Sequence, residues 1–255
     1  MPFIERSGAG CPAPERTNRH YRRMWGTLWL GLAMLVAAGT GAAQADRIDA
    51  GSFSVSEKGV RLGREQFSVR RTPSPDGSAF EMRAESVFGE RRLAVQQTVD
   101  SMGSPVRYSL EIREGTTVTL RAGGQRVRGR FVTQARRPTG ESAREYLLAP
   151  DVIILEPGLY HQYAVILRGR RPEVGRPVEM TVLSLLEFSQ QRLNLTLEAR
   201  DDSVVIAGAP RPAHRWRLGS GSALERTIWT DALGRLLKVR VAALFLEAIR
   251  DDLPR

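Results

Sequence analysis

The chain has few residue types that could carry chemistry. Histidine occurs three times, at His20, His161 and His214, and cysteine once, at Cys11. One thiol cannot form an intramolecular disulfide, a Cys-based zinc site or an iron–sulfur cluster, and so few histidines make a multi-His metal centre hard to build. No metal or cofactor is therefore expected. No stretch reads G-x-S-x-G, H-E-x-x-H or G-x-x-x-x-G-K-[ST], so no nucleophile elbow, zincin helix or P-loop is signalled. The run Gly219-Ser220-Gly221-Ser222 has the wrong order for an elbow and suits a hairpin turn. Adjacent carboxylates stand at Asp201-Asp202 and Asp251-Asp252. Neighbours in a strand point to opposite faces, so neither pair converges on one reacting atom; the first is expected in an exposed turn and the second in an exposed tail. His161 and His214 are the imidazoles a hydrolase would have to use with a distant acid, and nothing local supports that arrangement.

Two clusters remain. Tyr160-His161-Gln162-Tyr163 places two aromatics and an imidazole within four residues. Amphipathic rings of this kind suit the entrance of an apolar cavity, where one end is dry and the other wet. Arg126, Arg128 and Arg130 alternate, which in a strand puts three guanidinium groups on one face. They could meet phosphate groups of anionic lipid at a membrane surface. They fit equally a solvated sheet face whose charges deter edge pairing.

The elements that must position these groups are mostly strands. In Val106-Arg-Tyr108-Ser-Leu110-Glu-Ile112-Arg, even residues are apolar and odd ones polar, the period of a half-buried strand. Phe80, Met82 and Ala84 repeat that pattern after the turn at Ser74–Gly77, and Leu93, Val95 and Val99 follow. Val127-Arg-Gly129-Arg-Phe131 reads as a further strand. In the first hairpin the apolar parity changes from Val60 and Leu62 to Phe67 and Val69, which predicts a bulge at Gly63. The stretch 157–168 departs from the rhythm. Pro157 suits a first helical position, and Leu159, Tyr163 and Ile166 share one helical face, so one helix of about three turns is expected at the mouth or on the open face of the sheet. The fold class is thus all-β dominated with one short helix: an antiparallel curved sheet forming an open or half barrel over residues 46–255. The dry faces of its strands supply candidate ligand-binding residues Phe67, Phe80, Met82, Tyr108, Phe131 and Trp229, joined by Tyr160, His161 and Tyr163 from the helix.

Residues 1–45 read as a signal peptide with an N-terminal extension. Arg19, His20, Arg22 and Arg23 precede an apolar run from Met24 to Ala38, and Ala43-Gln44-Ala45 forms an A-x-A cleavage signature. That run is shorter than the roughly 20 residues needed to cross a bilayer. The expected location is periplasmic or secreted. Cleavage after Ala45 would remove Cys11, five Arg and two Glu, changing the net charge from +10 to +7. The remaining chain would carry no thiol, as suits an oxidising compartment. Its excess positive charge is almost wholly arginine, with Lys58 and Lys238 the only lysines. Nucleic acid is not expected as a partner, because no aromatics interleave with the arginines and the leader directs the chain elsewhere.

Two segments carry a resemblance. Gly59-Val60-Arg61-Leu62-Gly63-Arg64-Glu65-Gln66-Phe67 resembles a G-x-x-x-G-x-E-x-F opening hairpin of exported bacterial proteins of unknown function. Trp229-Thr-Asp231-Ala-Leu-Gly234-Arg235-Leu236-Leu237-Lys238-Val239 is similar to their closing hairpin. The resemblance implies a curved, incompletely closed β-barrel like those of periplasmic lipid and lipoprotein carriers, although the long first helix of those carriers has no counterpart here. The function expected is non-catalytic binding of a lipid, glycolipid or other apolar ligand. The alternatives are a structural or interaction module holding another envelope protein, and a hydrolase using His161 or His214.

Overall fold

The structure, a computed structural model, describes residues 46–254 apart from 76, 169, 171 and 222–224; the expected signal peptide lies outside them. Eight strands run as a meander: β1 (Asp46–Glu57), β2 (Val60–Ser74), β3 (Gly77–Phe88), β4 (Arg91–Val99), β5 (Pro105–Glu114), β6 (Thr117–Val127), β7 (Arg130–Arg137) and β8 (Gly140–Leu147). After β9 (Ile153–Ile154) and a 3-10 turn (His161–Val165), a second meander follows: β10 (Val178–Ser184), β11 (Ser189–Ile206), β12 (Ala209–Gly219), β13 (Arg226–Thr230), β14 (Leu236–Val241) and β15 (Leu246–Arg250). The two meanders join where β1 pairs antiparallel with β15, giving one sheet with β8 and β9 at its edges. Every pairing between neighbouring strands is antiparallel except β9 with β10. The sheet is curved and does not close into a barrel.

Period-two alternation places one apolar set on the inner face. Phe53, Phe67, Met82, Val95, Leu110 and Phe131 from the first meander share a core with Met180, Leu195, Leu218 and Val239 from the second. The bulge expected at Gly63 is present: register jumps from Val55↔Gly63 to Ser56↔Arg61, leaving Leu62 as the extra residue. Glycine is required there, because a Cβ would lie 2.1 Å from the Val87 carbonyl oxygen and 2.6 Å from the Phe88 ring.

Three expectations are corrected. Residues 157–168 form no three-turn α-helix. The stretch closes i to i+3 turns, from Leu159 N–H onto the Glu156 carbonyl to Arg170 N–H onto that of Leu167. Gly158 is left-handed at φ 83°, and the segment packs into the core, with Leu159, His161, Gln162, Val165 and Ile166 almost wholly buried. Its central residues, from Leu159 to Tyr163, are all buried and so show no wet face of helical period. It is a plug within the curved sheet. Arg126, Arg128 and Arg130 do not share a strand: Val127 pairs with Arg130 across a two-residue turn in which Arg128 (φ 49°) and Gly129 (φ 77°) are left-handed, as hairpin twist favours. Asp201-Asp202 lies not in a turn but within the single long strand β11, at a register irregularity between Ala199 and Asp202.

Candidate functional site

Glu65 stands on β2 in the same parity as Phe67 and Val69, so its carboxylate points into the core, where it is fully buried. A carboxylate in an apolar interior is tolerable only if its lone pairs are met. Its Oε2 accepts hydrogen bonds from Ser86 Oγ at 2.9 Å and Tyr160 N–H at 2.8 Å. Its Oε1 accepts from His161 N–H at 2.6 Å and faces His161 Nδ1 at 3.1 Å. The carboxylate therefore caps the opening N–H groups of the 3-10 turn that no internal carbonyl serves. The same group sets the His161 ring, which is fully buried and, among the described residues, has no hydrogen-bond partner at Nε2. A hydrolytic triad would place the serine at Nε2; here Ser86 is bonded to the carboxylate. The Ser86–Glu65–His161 group is a clamp on the plug, and its order does not match a nucleophile–base relay.

On the far side of the turn, Gln162 Oε1 accepts from the Glu156 N–H at 2.6 Å, and its Nε2 donates to Gln97 Oε1 at 3.1 Å. The Glu156 carboxylate receives Leu185 N–H at 2.7 Å, Ser184 Oγ at 2.8 Å and Leu186 N–H at 3.2 Å, which ties the plug to the β10–β11 turn. Burial pushes its pKa up to about 7 against the pull of those three donors. Burial likewise raises Tyr108, Tyr160 and Tyr163 and keeps them as neutral phenols.

The Glu156 shift has a sign that can be tested. A folded-state proton held to about pH 7, lost near pH 4.5 when unfolded, stabilises the fold in full below pH 4.5. That stabilisation is lost as pH rises to about 7, by about 3 kcal/mol in all. Glu156→Gln stays neutral throughout, so between pH 4.5 and 8 urea unfolding is expected to move in favour of the variant by about that amount. Parallel stability curves for the two proteins would refute it.

A cavity of about 520 Å³ opens at the end of the plug. Ile48, Val69, Leu167 and Trp216 make its apolar floor, and Arg168, Arg170, Arg200, His214 and the β13–β14 loop make its rim. That loop is fixed by Asp231, whose Oδ1 accepts N–H groups of Leu233 (2.9 Å) and Arg235 (2.8 Å) and whose Oδ2 meets Arg235 Nε at 2.7 Å. Arg170 turns inward to the carbonyls of Asp151 (2.9 Å) and Ile166 (3.1 Å). Trp216 is held by its Nε1–H donating to Thr230 Oγ1 at 3.0 Å. His214 Nδ1 lies 2.8 Å from the Arg200 carbonyl oxygen. Among the described residues no three His, Cys, Asp or Glu side chains converge as a metal site needs.

The expected site residues divide accordingly. Phe67, Phe80, Met82, Tyr108 and Phe131 are buried on the inner face and share one core with Tyr160 and Tyr163; they back the plug. His161 sits in the clamp. Trp229 is on the opposite face, a correction to the dry-face set. Unbroken alternation in β13 buries Ile228 and Thr230 inside, while the Trp229 indole between them donates to Asp202 at 3.0 Å and lies under Lys238. Arg126 is paired with Asp100 at 3.0 Å and Arg130 with Glu145 at 3.3 Å, so the expected basic face is a hairpin tip with two of its three charges compensated. Glu65 was missed although its parity signals it: a carboxylate in register with Phe67 and Val69 must point inward. Gln97, in register with Leu93, Val95 and Val99, carries the same signal; Glu156 and Arg168 lie outside any alternating strand and carry none.

No family model matches the chain, and no curated protein matches it. Two solved structures are similar to it. One is a DUF1089 family protein from Pseudomonas aeruginosa, 11% identical with a TM-score of 0.44, the match covering 68% of this chain and 87% of that one. The other is a β-barrel-like protein of domain of unknown function DUF1849 from Brucella abortus, 8% identical with a TM-score of 0.43, covering 81% and 97%.

Proposed function

We propose that this protein is a non-catalytic binding protein of the cell envelope that holds a lipid, glycolipid or similar apolar-tailed ligand. The observation that carries the reading is the mouth cavity. Its volume of about 520 Å³ falls in the range of small-molecule sites, and it joins an apolar floor to a strongly polar, arginine-rich rim. The inner-face aromatics are filled by the plug, so the ligand's seat is the space between plug, β1–β2 and β12–β14. The envelope location rests on the leader-like segment at 19–45.

The test is to express the full chain in a bacterium, purify the periplasmic product without detergent, and combine native mass spectrometry with organic extraction. A co-purifying amphiphile of discrete mass is expected, and it should be lost in Leu167→Trp, which fills the floor. Bare protein that also fails to take up an environment-sensitive fatty-acid probe would overturn the proposal.

A further inference from the structure

We infer that the mouth cavity selects an amphiphile with an oxyanionic head, a phosphate or carboxylate, held by Arg168 and Arg200. The inference rests on the binding reading above and adds the chemical class of the ligand's polar end.

Over much of the outer sheet face arginine is answered by carboxylate, as in Arg64–Asp251 at 2.9 Å, Arg121–Glu111 at 2.8 Å and Arg217–Glu198 at 2.9 Å. Exposed arginines such as Arg61, Arg70 and Arg107 also stand without a carboxylate in ion-pair distance among the described residues, but at the mouth the unanswered arginines line a cavity. Among the described residues neither Arg168 nor Arg200 has a carboxylate within ion-pair distance, and both line the cavity. The acids beside them are committed elsewhere. Asp49 is held bidentately by Arg250 at 2.8 and 3.0 Å, and Asp231 by Arg235.

Arg168 is also half-buried. Its guanidinium carbon sits 4.1 Å from the centroid of the Phe80 ring, and that of Arg71 lies 5.9 Å from the same ring. Two cations over one ring, one of them partly desolvated, repel each other; burial and the Arg71 charge both weaken the hold of Arg168 on its proton. An oxyanion at the rim relieves that repulsion and gains charge-assisted hydrogen bonds whose planar fork matches phosphate and carboxylate geometry. The apolar floor then receives the tail. An anion with no tail would leave the half-buried Ile48 and Leu167 facing water, so the occupant is amphiphilic.

The experiment measures binding of three probes with the same saturated chain: an alkyl phosphate, the fatty acid and the neutral alcohol. The full-length protein is compared with Arg168→Gln, Arg200→Gln and the control Arg61→Gln. Arg61 is exposed near the other end of the β1–β2 hairpin. One or both anionic probes should bind about tenfold to a hundredfold tighter than the alcohol, the worth of a hydrogen bond to a charged group. Each mouth variant should remove most of that preference, leave the alcohol's affinity in place, and differ in this from the control. Whichever anion binds tighter tells phosphate from carboxylate. An alcohol that binds as tightly as both anions, or a preference that survives both mouth variants, overturns the inference and leaves the apolar-ligand reading standing. If no probe binds, both fall.

Discussion

Arg250→Ala is expected to cost about 3–5 kcal/mol of folding stability, the penalty for stranding one partner of a buried ion pair. Arg250 is 1% exposed and Asp49 5%. The guanidinium meets both Asp49 oxygens, donates to the carbonyls of Ala50 at 2.6 Å and Leu236 at 3.3 Å, and lies 5.2 Å from the Phe67 ring centroid. Removing it leaves the almost wholly buried Asp49 carboxylate without its bidentate partner. The position magnifies the effect, because β1 and β15 form the backbone joint between the two meanders. Gly51 shows how tightly the pair is housed: a Cβ there would lie 2.9 Å from Arg250 Nη2. The double variant Asp49→Leu with Arg250→Met is expected to recover most of the loss, since an apolar replacement of both partners is often neutral or better. Urea unfolding of the two variants decides it, and a single-variant cost below about 1 kcal/mol would sink the argument.

How much of this was legible in the sequence depends on the range of the interaction. Alternation in β3, β4 and β5 is local, and it placed Met82, Val95, Leu110 and their neighbours on the inner face, where they are buried. The parity break between Leu62 and Phe67 is local too, and it located the bulge. The hairpin at Arg128-Gly129 failed for a related reason. Val127, Gly129 and Phe131 mimic a strand's period, and the left-handed φ angles that make the turn leave no mark on that pattern. Trp229 failed because its apolar bulk pointed to the dry face, whereas alternation in β13 buries Ile228 and Thr230 there and turns the indole to a small outer cluster with Val204, Ile206, Ala213 and Leu237.

Contacts between distant segments were beyond reach. Asp49 and Arg250 are separated by 201 positions. Asp251, expected in an exposed tail, is half-buried and receives Ser52 Oγ at 2.7 Å, Ser54 Oγ at 2.6 Å and Arg64 Nε at 2.9 Å. Burial alone would raise its pKa; those hydroxyls and the Arg64 charge outweigh it and lower the pKa. The segment 157–168 shows the same limit from another side. Its apolar spacing is real, but it reflects a strand-bounded interior that surrounds the plug, which no one-dimensional pattern distinguishes from a helix face.

Glu65→Ala is expected to be as damaging as the loss of Arg250, about 3–5 kcal/mol, by a different route. It leaves Ser86 Oγ and the N–H groups of Tyr160 and His161 with no acceptor in a site closed to water, and each stranded donor costs roughly 1–3 kcal/mol before relaxation. Glu65→Gln keeps one acceptor oxygen but turns an NH₂ group toward existing donors, so it should cost less than alanine and more than about 1 kcal/mol. Hydrogen exchange supplies a second readout. The Tyr160 and His161 amides should lose protection in the glutamine variant while the β2 and β3 amides keep theirs, because the clamp closes the plug rather than the sheet. Unchanged protection at both amides would refute the clamp. The consequence reaches the mouth cavity, since Leu167 and Arg168 follow the clamped turn within a few residues and form part of that cavity's wall. A loosened plug should therefore weaken ligand binding although Glu65 itself is not among the residues lining the cavity.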